Sequence, residues 1–217
     1  MISRRYVLLS LVAALVSPLV KASSDDGVAA LTRFVSQALS AQGQFTQQIF
    51  DAEGKLVEDA SRGTFAFLRP GCFVWHTTHP YEQRIVSNGK TLWLYDPDLM
   101  QVTIKELTSA VSATPAAILF GHTQLKKFFQ LENESKKSDG LIWVKATPKN
   151  SDLTFSSLHI GFDKSGCLVR MVLRDHFSQT TDIEFRDVQL NESLPPSMFE
   201  FKPPKGADVF VDEMTQG

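Results

Sequence analysis

A chain of 217 residues with a formal net charge of −2 is long enough for one domain with a sizeable core, and lacks the positive charge expected of a nucleic-acid partner. Sixteen phenylalanines stand against three tryptophans and three tyrosines. That imbalance fits either a Phe-rich core or a lining that must stay apolar and make no hydrogen bonds.

The chain opens MISRRYVLLSLVAALVSPLVKASSDD. Arg4 and Arg5 precede an apolar run from Val7 to Val20, and Val20-Lys21-Ala22 suits a signal peptidase. Residues 1–22 are expected to be a cleaved secretory leader, with cleavage near Ala22, and residues 23–217 a single domain. The run is short for a membrane span, and no later segment is long and apolar enough to be one. Ser23 would follow the cut, so no lipid-accepting cysteine is expected there. Ser3-Arg4-Arg5 faintly resembles a twin-arginine signal, but the general secretory route is favoured. Losing Arg4, Arg5 and Lys21 takes the net charge to about −5.

Asp25-Asp26 can cap a helix in which Val28, Leu31, Val35 and Leu39 recur at helical spacing, ending near Gly43. The period then becomes two through Phe45, Gln47 and Ile49, and Asp51–Gly54 turns the chain. Strands are expected over 56–68, 72–77, 81–86, 91–95 and 100–106. Asn88-Gly89 is a strong hairpin signal between two of them. Thr114 and Pro115 suit the start of a short helix, Ala116–Phe120, stopped by Gly121. Leu125–Phe129 adds a turn of helix. Strands resume over 130–135, 141–146, 158–162, 168–174 and 181–190, and the tail holds one helical turn at Ser197–Phe199. The fold class expected is mainly β: one curved antiparallel sheet of ten or eleven strands, with one apolar concave face and short helices able to cover it.

Along the expected strand ending Phe65-Ala-Phe67-Leu-Arg69, the alternation of side chains puts Arg69 on the face of two phenyl rings. Phe65, Phe67, Trp75 and either Leu92 or Trp93 are candidates for lining or core; Trp93 is taken as the lining residue. Cys72 and Cys167 can pair in an oxidising compartment, or remain two buried thiols that never meet. His76 and His79 point to opposite faces of a strand, so no metal is expected, nor any cofactor. There is no Gly-x-Ser-x-Gly, no phosphate loop and no Cys-x-x-Cys. Nothing indicates an enzyme.

Five stretches, in order, resemble the LolA family of periplasmic lipoprotein carriers: GQFTQQ from Gly43, LRPGCFVWHTTHP from Leu68, SNGKTLWLYDPDLMQVTI from Ser87, TPAAILFG from Thr114 and FEFKPPKGADV from Phe199. The resemblance implies an unclosed β-barrel of about eleven strands under a helical lid, with a hydrophobic cavity for the acyl chains of lipoproteins. It implies that Arg69 bonds lid backbone and holds the empty cavity closed. The lid would comprise the helix around Val35 and the insert around Ile118, Leu119 and Phe120, and Phe73 would lie where cargo arrives. The implied partners are acylated lipoproteins, an ATP-driven inner-membrane complex that releases them and an outer-membrane receptor, with the carrier working as a monomer in the periplasm. The receptor itself shares the fold but needs a lipidated N-terminal cysteine. A LolA-like domain that binds or senses another lipid is the alternative.

Overall fold

The computed structural model describes residues 26–107, 125–135, 138–150 and 154–211. Helix α1 (Gly27–Gln37) comes first, and the side chain of Asp26 caps it by accepting from the N–H of Ala29 at 2.9 Å. Six strands follow: β1 (Ser40–Phe50), β2 (Ser61–Leu68), β3 (Cys72–His79), β4 (Gln83–Asn88), β5 (Thr91–Asp96) and β6 (Gln101–Glu106). One helical turn, α2 (Leu125–Phe128), leads into β7 (Phe129–Asn133), β8 (Ile142–Pro148), β9 (Phe155–Phe162), β10 (Leu168–Asp175) and β11 (Thr180–Leu190). A 3-10 turn, Pro196–Phe199, precedes β12 (Asp208–Val211).

The twelve strands of the described residues form one sheet in the order β12-β6-β5-β4-β3-β2-β1-β11-β10-β9-β8-β7. Its edges are β12 and β7, so the sheet is unclosed. Ten of its neighbouring pairs are antiparallel; β12 runs parallel to β6. Two apolar layers result. The larger lies on the inner face and joins Leu31 and Phe34 of α1 to Phe45, Phe65, Phe67, Phe73, Trp75, Leu92, Ile160, Met171 and Ile183. The smaller lies on the outer face, where Leu194, Met198, Phe199 and Phe201 cover Ala66, Val74, Val86 and Trp93.

Helix α1 ends at Gln37, six residues before the expected Gly43. Ser40 already pairs with Leu68, and its carbonyl accepts from Asn191, so the ladder captures the backbone before another helical turn can form. Leu39, expected on the helix's apolar stripe, is consequently exposed. The long strand expected from Leu56 begins only at Ser61; an isolated bridge between Phe50 and Leu56 is all that precedes it. Asp51 explains this, since its carboxylate accepts from the N–H groups of Glu53 and Lys55 and holds the segment as a turn. Strand β12 is not among the strands that the sequence predicts. The segment of Ile118, Leu119 and Phe120 lies outside the described residues, as do residues 1–22, the expected leader.

Candidate functional site

The inner face is built by alternation. In β2, Phe65 and Phe67 point inward and Ala66 and Leu68 outward; in β3, Phe73 and Trp75 point inward and Cys72 and Val74 outward. Registry aligns them in rows: Phe65 faces Trp75, and Phe67 faces Phe73. Phe45 stacks on Trp75 with centroids 3.8 Å apart, and Phe65 meets the ring of Phe185 edge-on at 5.2 Å. Gly43, opposite Phe65, leaves space for that ring, because a Cβ there would stand 2.9 Å from Phe65 Cε1.

Helix α1 lies against β7, β8 and β9. Phe34 joins the two halves of the interior, 6.2 Å from Phe67 and 5.6 Å from Phe162 between ring centroids. The N-terminal end of the helix sits hard on the sheet: a Cβ on Gly27 would come within 2.1 Å of the Trp143 carbonyl oxygen. Beside it, the Val28 N–H donates to Asn133 Oδ1 at 2.8 Å.

Arg69 holds the other end. Its backbone N–H donates to the Leu39 carbonyl at 2.8 Å, and its Nε donates to the Ala38 carbonyl at 3.1 Å. Ala38 is the C-cap of α1, and no basic side chain lies in the helix's last turn. A guanidinium arriving from the end of β2 therefore supplies the cation that a helix C-terminus favours. Its Cζ also stands 4.9 Å from the centroid of the Phe67 ring. Burial lowers the pKa of Arg69 from its ordinary value to about 10, so it stays charged at neutral pH at a desolvation cost.

Val35 lies on the half-buried flank of α1 and faces a groove of about 440 Å³. Leu31 and Val35 form one wall with Thr32 and Ser36; Leu125 and Leu131 form the other, beside Lys126 and Lys127. Phe65, Phe67 and Trp75 are buried in the packed interior. Phe73 is fully buried too, so a partner can reach it only after the interior opens.

Trp93 is a correction. It points to the outer face, against Phe201 at 6.4 Å, and Leu92 is the inward residue of β5. The alternation is hard to read there because the C-terminal tail covers the outer face and both sides of β5 are apolar. Of the two readings left open for the cysteines, the structure has the unpaired one: Cys72 and Cys167 are free thiols. Cys72 packs in the outer layer at the start of β3, whereas Cys167 closes the β9–β10 turn, with β2, β1, β11 and β10 between β3 and β9.

The resemblance gives lid backbone as the partner of Arg69 but not which carbonyl; sequence reasoning missed that identity, the close seat of Gly27, and a polar row on the outer face of β9. In that row Ser157 Oγ lies 3.1 Å from His159 Nε2, and His159 Nδ1 lies 2.9 Å from Glu134 Oε2. The order is that of a hydrolytic triad, and Ser157-x-His159 on one strand is a signal for it. Strand β9 is paired on both sides, however, so its N–H groups serve the ladder instead of an oxyanion.

A family model described as outer membrane lipoprotein carrier protein LolA matches residues 36–202. An outer-membrane lipoprotein carrier protein of Nitrosomonas europaea is 41% identical over 193 residues, covering 89% of this chain and 91% of that protein. Its counterpart in Cupriavidus pinatubonensis is 45% identical over 181 residues, covering 82% of this chain and 84% of that protein. Among solved structures, an uncharacterized conserved protein from Thermus thermophilus is similar with a TM-score of 0.52 at 14% identity, over 83% of this chain and 94% of that one, a likeness of fold alone. A twelve-stranded sheet with a Phe-rich face and an arginine-tethered helix against it thus comes with close sequence relatives over most of the chain's length, and the chain belongs to the LolA family of outer-membrane lipoprotein carrier proteins.

Proposed function

We propose that this protein is a periplasmic carrier that takes the acyl chains of lipoproteins onto the inner face of its sheet and passes them to an outer-membrane receptor. It is exported by the leader at residues 1–22, works as a monomer and collects its cargo from an ATP-driven complex in the inner membrane. The observation that carries this reading is the belt of inward phenyl rings, Phe34, Phe45, Phe65, Phe67 and Phe73, beneath a helix whose end is tied down by Arg69. Such a belt offers large apolar area and no hydrogen-bonding group, which is what an acyl chain requires.

The energetics favour a carrier over a store. Each buried CH₂ contributes about 0.8 kcal/mol, so a dry, open pocket would hold acyl chains too tightly to release them. Here the inner face is already filled by its own side chains: Phe67, Phe73 and Leu92 are each fully buried. Cargo must displace that packing and break the Arg69 contacts before it gains its own burial, which lowers net affinity. Arg69 is then a latch, and its Ala38 and Leu39 contacts set the angle at which α1 leaves β1.

The test is to add purified mature protein to spheroplasts that make labelled lipoproteins. The expected result is labelled lipoprotein in the soluble fraction as a one-to-one complex with the protein. Binding of an apolar dye without any release of lipoprotein would overturn the cargo assignment and leave a carrier of another lipid.

A further inference from the structure

The Ser157–His159–Glu134 row is not built for hydrolysis, and its place in the sheet gives it another use. Strand β7 is an edge strand, paired with β8 alone. Its last ladder pair is Asn133 with Val144, and one further contact follows, from the Glu134 N–H to the Trp143 carbonyl at 3.2 Å. The end of an edge strand is where a sheet frays most readily. Yet this end carries the seat of α1: Asn133 Oδ1 accepts from the Val28 N–H, and the Trp143 carbonyl lies under Gly27.

Asn133 and Glu134 are consecutive, so their side chains leave the chain by opposite faces. Asn133 stands opposite Val144 of the inner face and meets α1. Glu134 passes to the outer face, where its Oε2 reaches across β8 to His159 Nδ1 on β9 at 2.9 Å. An ionised carboxylate only accepts, so Nδ1 carries the proton of this contact, and Nε2 faces Ser157 Oγ at 3.1 Å. Ser157 is buried and β9 is paired on both sides, so the imidazole is anchored well inside the sheet. The side chains of His159 and Glu134 are 21% and 20% exposed, so water competes poorly for their bond.

We propose that Glu134 is a positioning residue for the closed carrier: its bond to His159 pins the end of β7 from the outer face, and so holds the Asn133 acceptor and the Trp143 carbonyl where the N-terminus of α1 docks. The inference rests on the reading of α1 as the cover of the inner face, and not on what the cargo is. It gives the helix a second point of control, on the other side of the sheet from the helix itself. Loosening Glu134 lifts the N-terminal end of α1; loosening Arg69 lifts the C-terminal end.

The experiment follows amide hydrogen exchange by NMR in the purified protein, with apolar-dye binding in the absence of cargo as the second readout. Glu134→Ala should speed exchange of the Val28 N–H at least tenfold and raise dye binding, while the Arg69 N–H, bonded to the Leu39 carbonyl at the other end of α1, exchanges as in the parent. His159→Ala should do the same, and adding it to Glu134→Ala should change nothing further. Glu134→Gln keeps an oxygen that accepts from Nδ1 and should return both readouts to within about twofold of the parent, a rescue that general loss of packing would not show. Glu132→Ala, on the same face of β7, is the control and should leave both readouts unchanged. No lipoprotein enters these measurements, so their failure and a failed release from spheroplasts are separate results. Parent-like Val28 exchange or parent-like dye binding in Glu134→Ala, equal acceleration at Arg69, a Gln variant no better than the Ala variant, or additive effects of the two alanines would each overturn the proposal.

Discussion

The two ends of helix α1 are held by different physics. At its N-terminus the backbone rests on the backbone of β8, with Gly27 against the Trp143 carbonyl and Val28 bonded to Asn133. At its C-terminus, where the chain turns directly into β1, the Arg69 side chain reaches over to the Ala38 carbonyl, and the Arg69 backbone N–H donates to the Leu39 carbonyl. The first attachment depends on shape and tolerates no added atom. The second includes a cation on a neutral carbonyl, kept at a desolvation cost. Arg170, on the outer face, is the contrast: its Nε donates to Asp182 Oδ1 at 2.8 Å, and the hydrogen bond to that carboxylate raises its pKa. A cation meant to stay is matched with an anion; the cation at the hinge of α1 has partners it can leave at lower cost.

The largest expected effect falls on the residue that bridges both halves. Phe34→Ala removes a buried ring packed on Phe67 and Phe162 and should cost about 3–5 kcal/mol, read as a lower urea midpoint. Gly27→Ala breaks the close seat and should cost about 1–3 kcal/mol; it should also raise apolar-dye binding in the absence of cargo, because that end of α1 lifts. An unchanged dye signal in this variant would mean that the seat does not keep the interior closed. Asn133→Ala removes one hydrogen bond at the same end and should cost about 1 kcal/mol, with a smaller dye response.

The smallest effect is a pH slope. Burial lowers the folded pKa of Arg69 to about 10, below that of the unfolded chain, so above about pH 10 the unfolded chain binds more protons and the stability contributed by this group rises with pH. Below about pH 10 both states are protonated and the burial penalty is constant. The melting difference between the parent and Arg69→Leu should therefore be flat from about pH 7 to 9 and move in the parent's favour at about pH 10.5. A difference that moves the other way would mean that Arg69 is not desolvated.

Much of the sheet is legible in the chain because turns and alternation are local. Asn88-Gly89 sits between β4 and β5 with Gly89 at φ +91°, and Asp26 caps α1 as its position predicts. The inward direction of Phe65 and Phe67 follows from a period of two. Three features escape for a common reason, since each depends on a distant segment. Trp93 turns outward because the tail at Met198–Phe201 buries the outer face, which removes the polar alternation that would have marked it. Gly27 reads as an ordinary helix residue until β8 is brought beneath it. Strand β12 pairs in parallel with β6 and has no turn or local partner to announce it. Arg69 lies between these cases: the alternation aligns it with the phenyl rings, but its bond to a carbonyl of Ala38, thirty-one residues earlier, appears only in the fold.

The central claim is that Arg69 governs release of cargo. The direct measurement loads parent and Arg69→Leu protein with labelled lipoprotein from spheroplasts, then adds outer-membrane vesicles and follows transfer of label. The account predicts that Arg69→Leu loads as well as the parent and hands on its cargo at least tenfold more slowly. Equal transfer by the two proteins would contradict it.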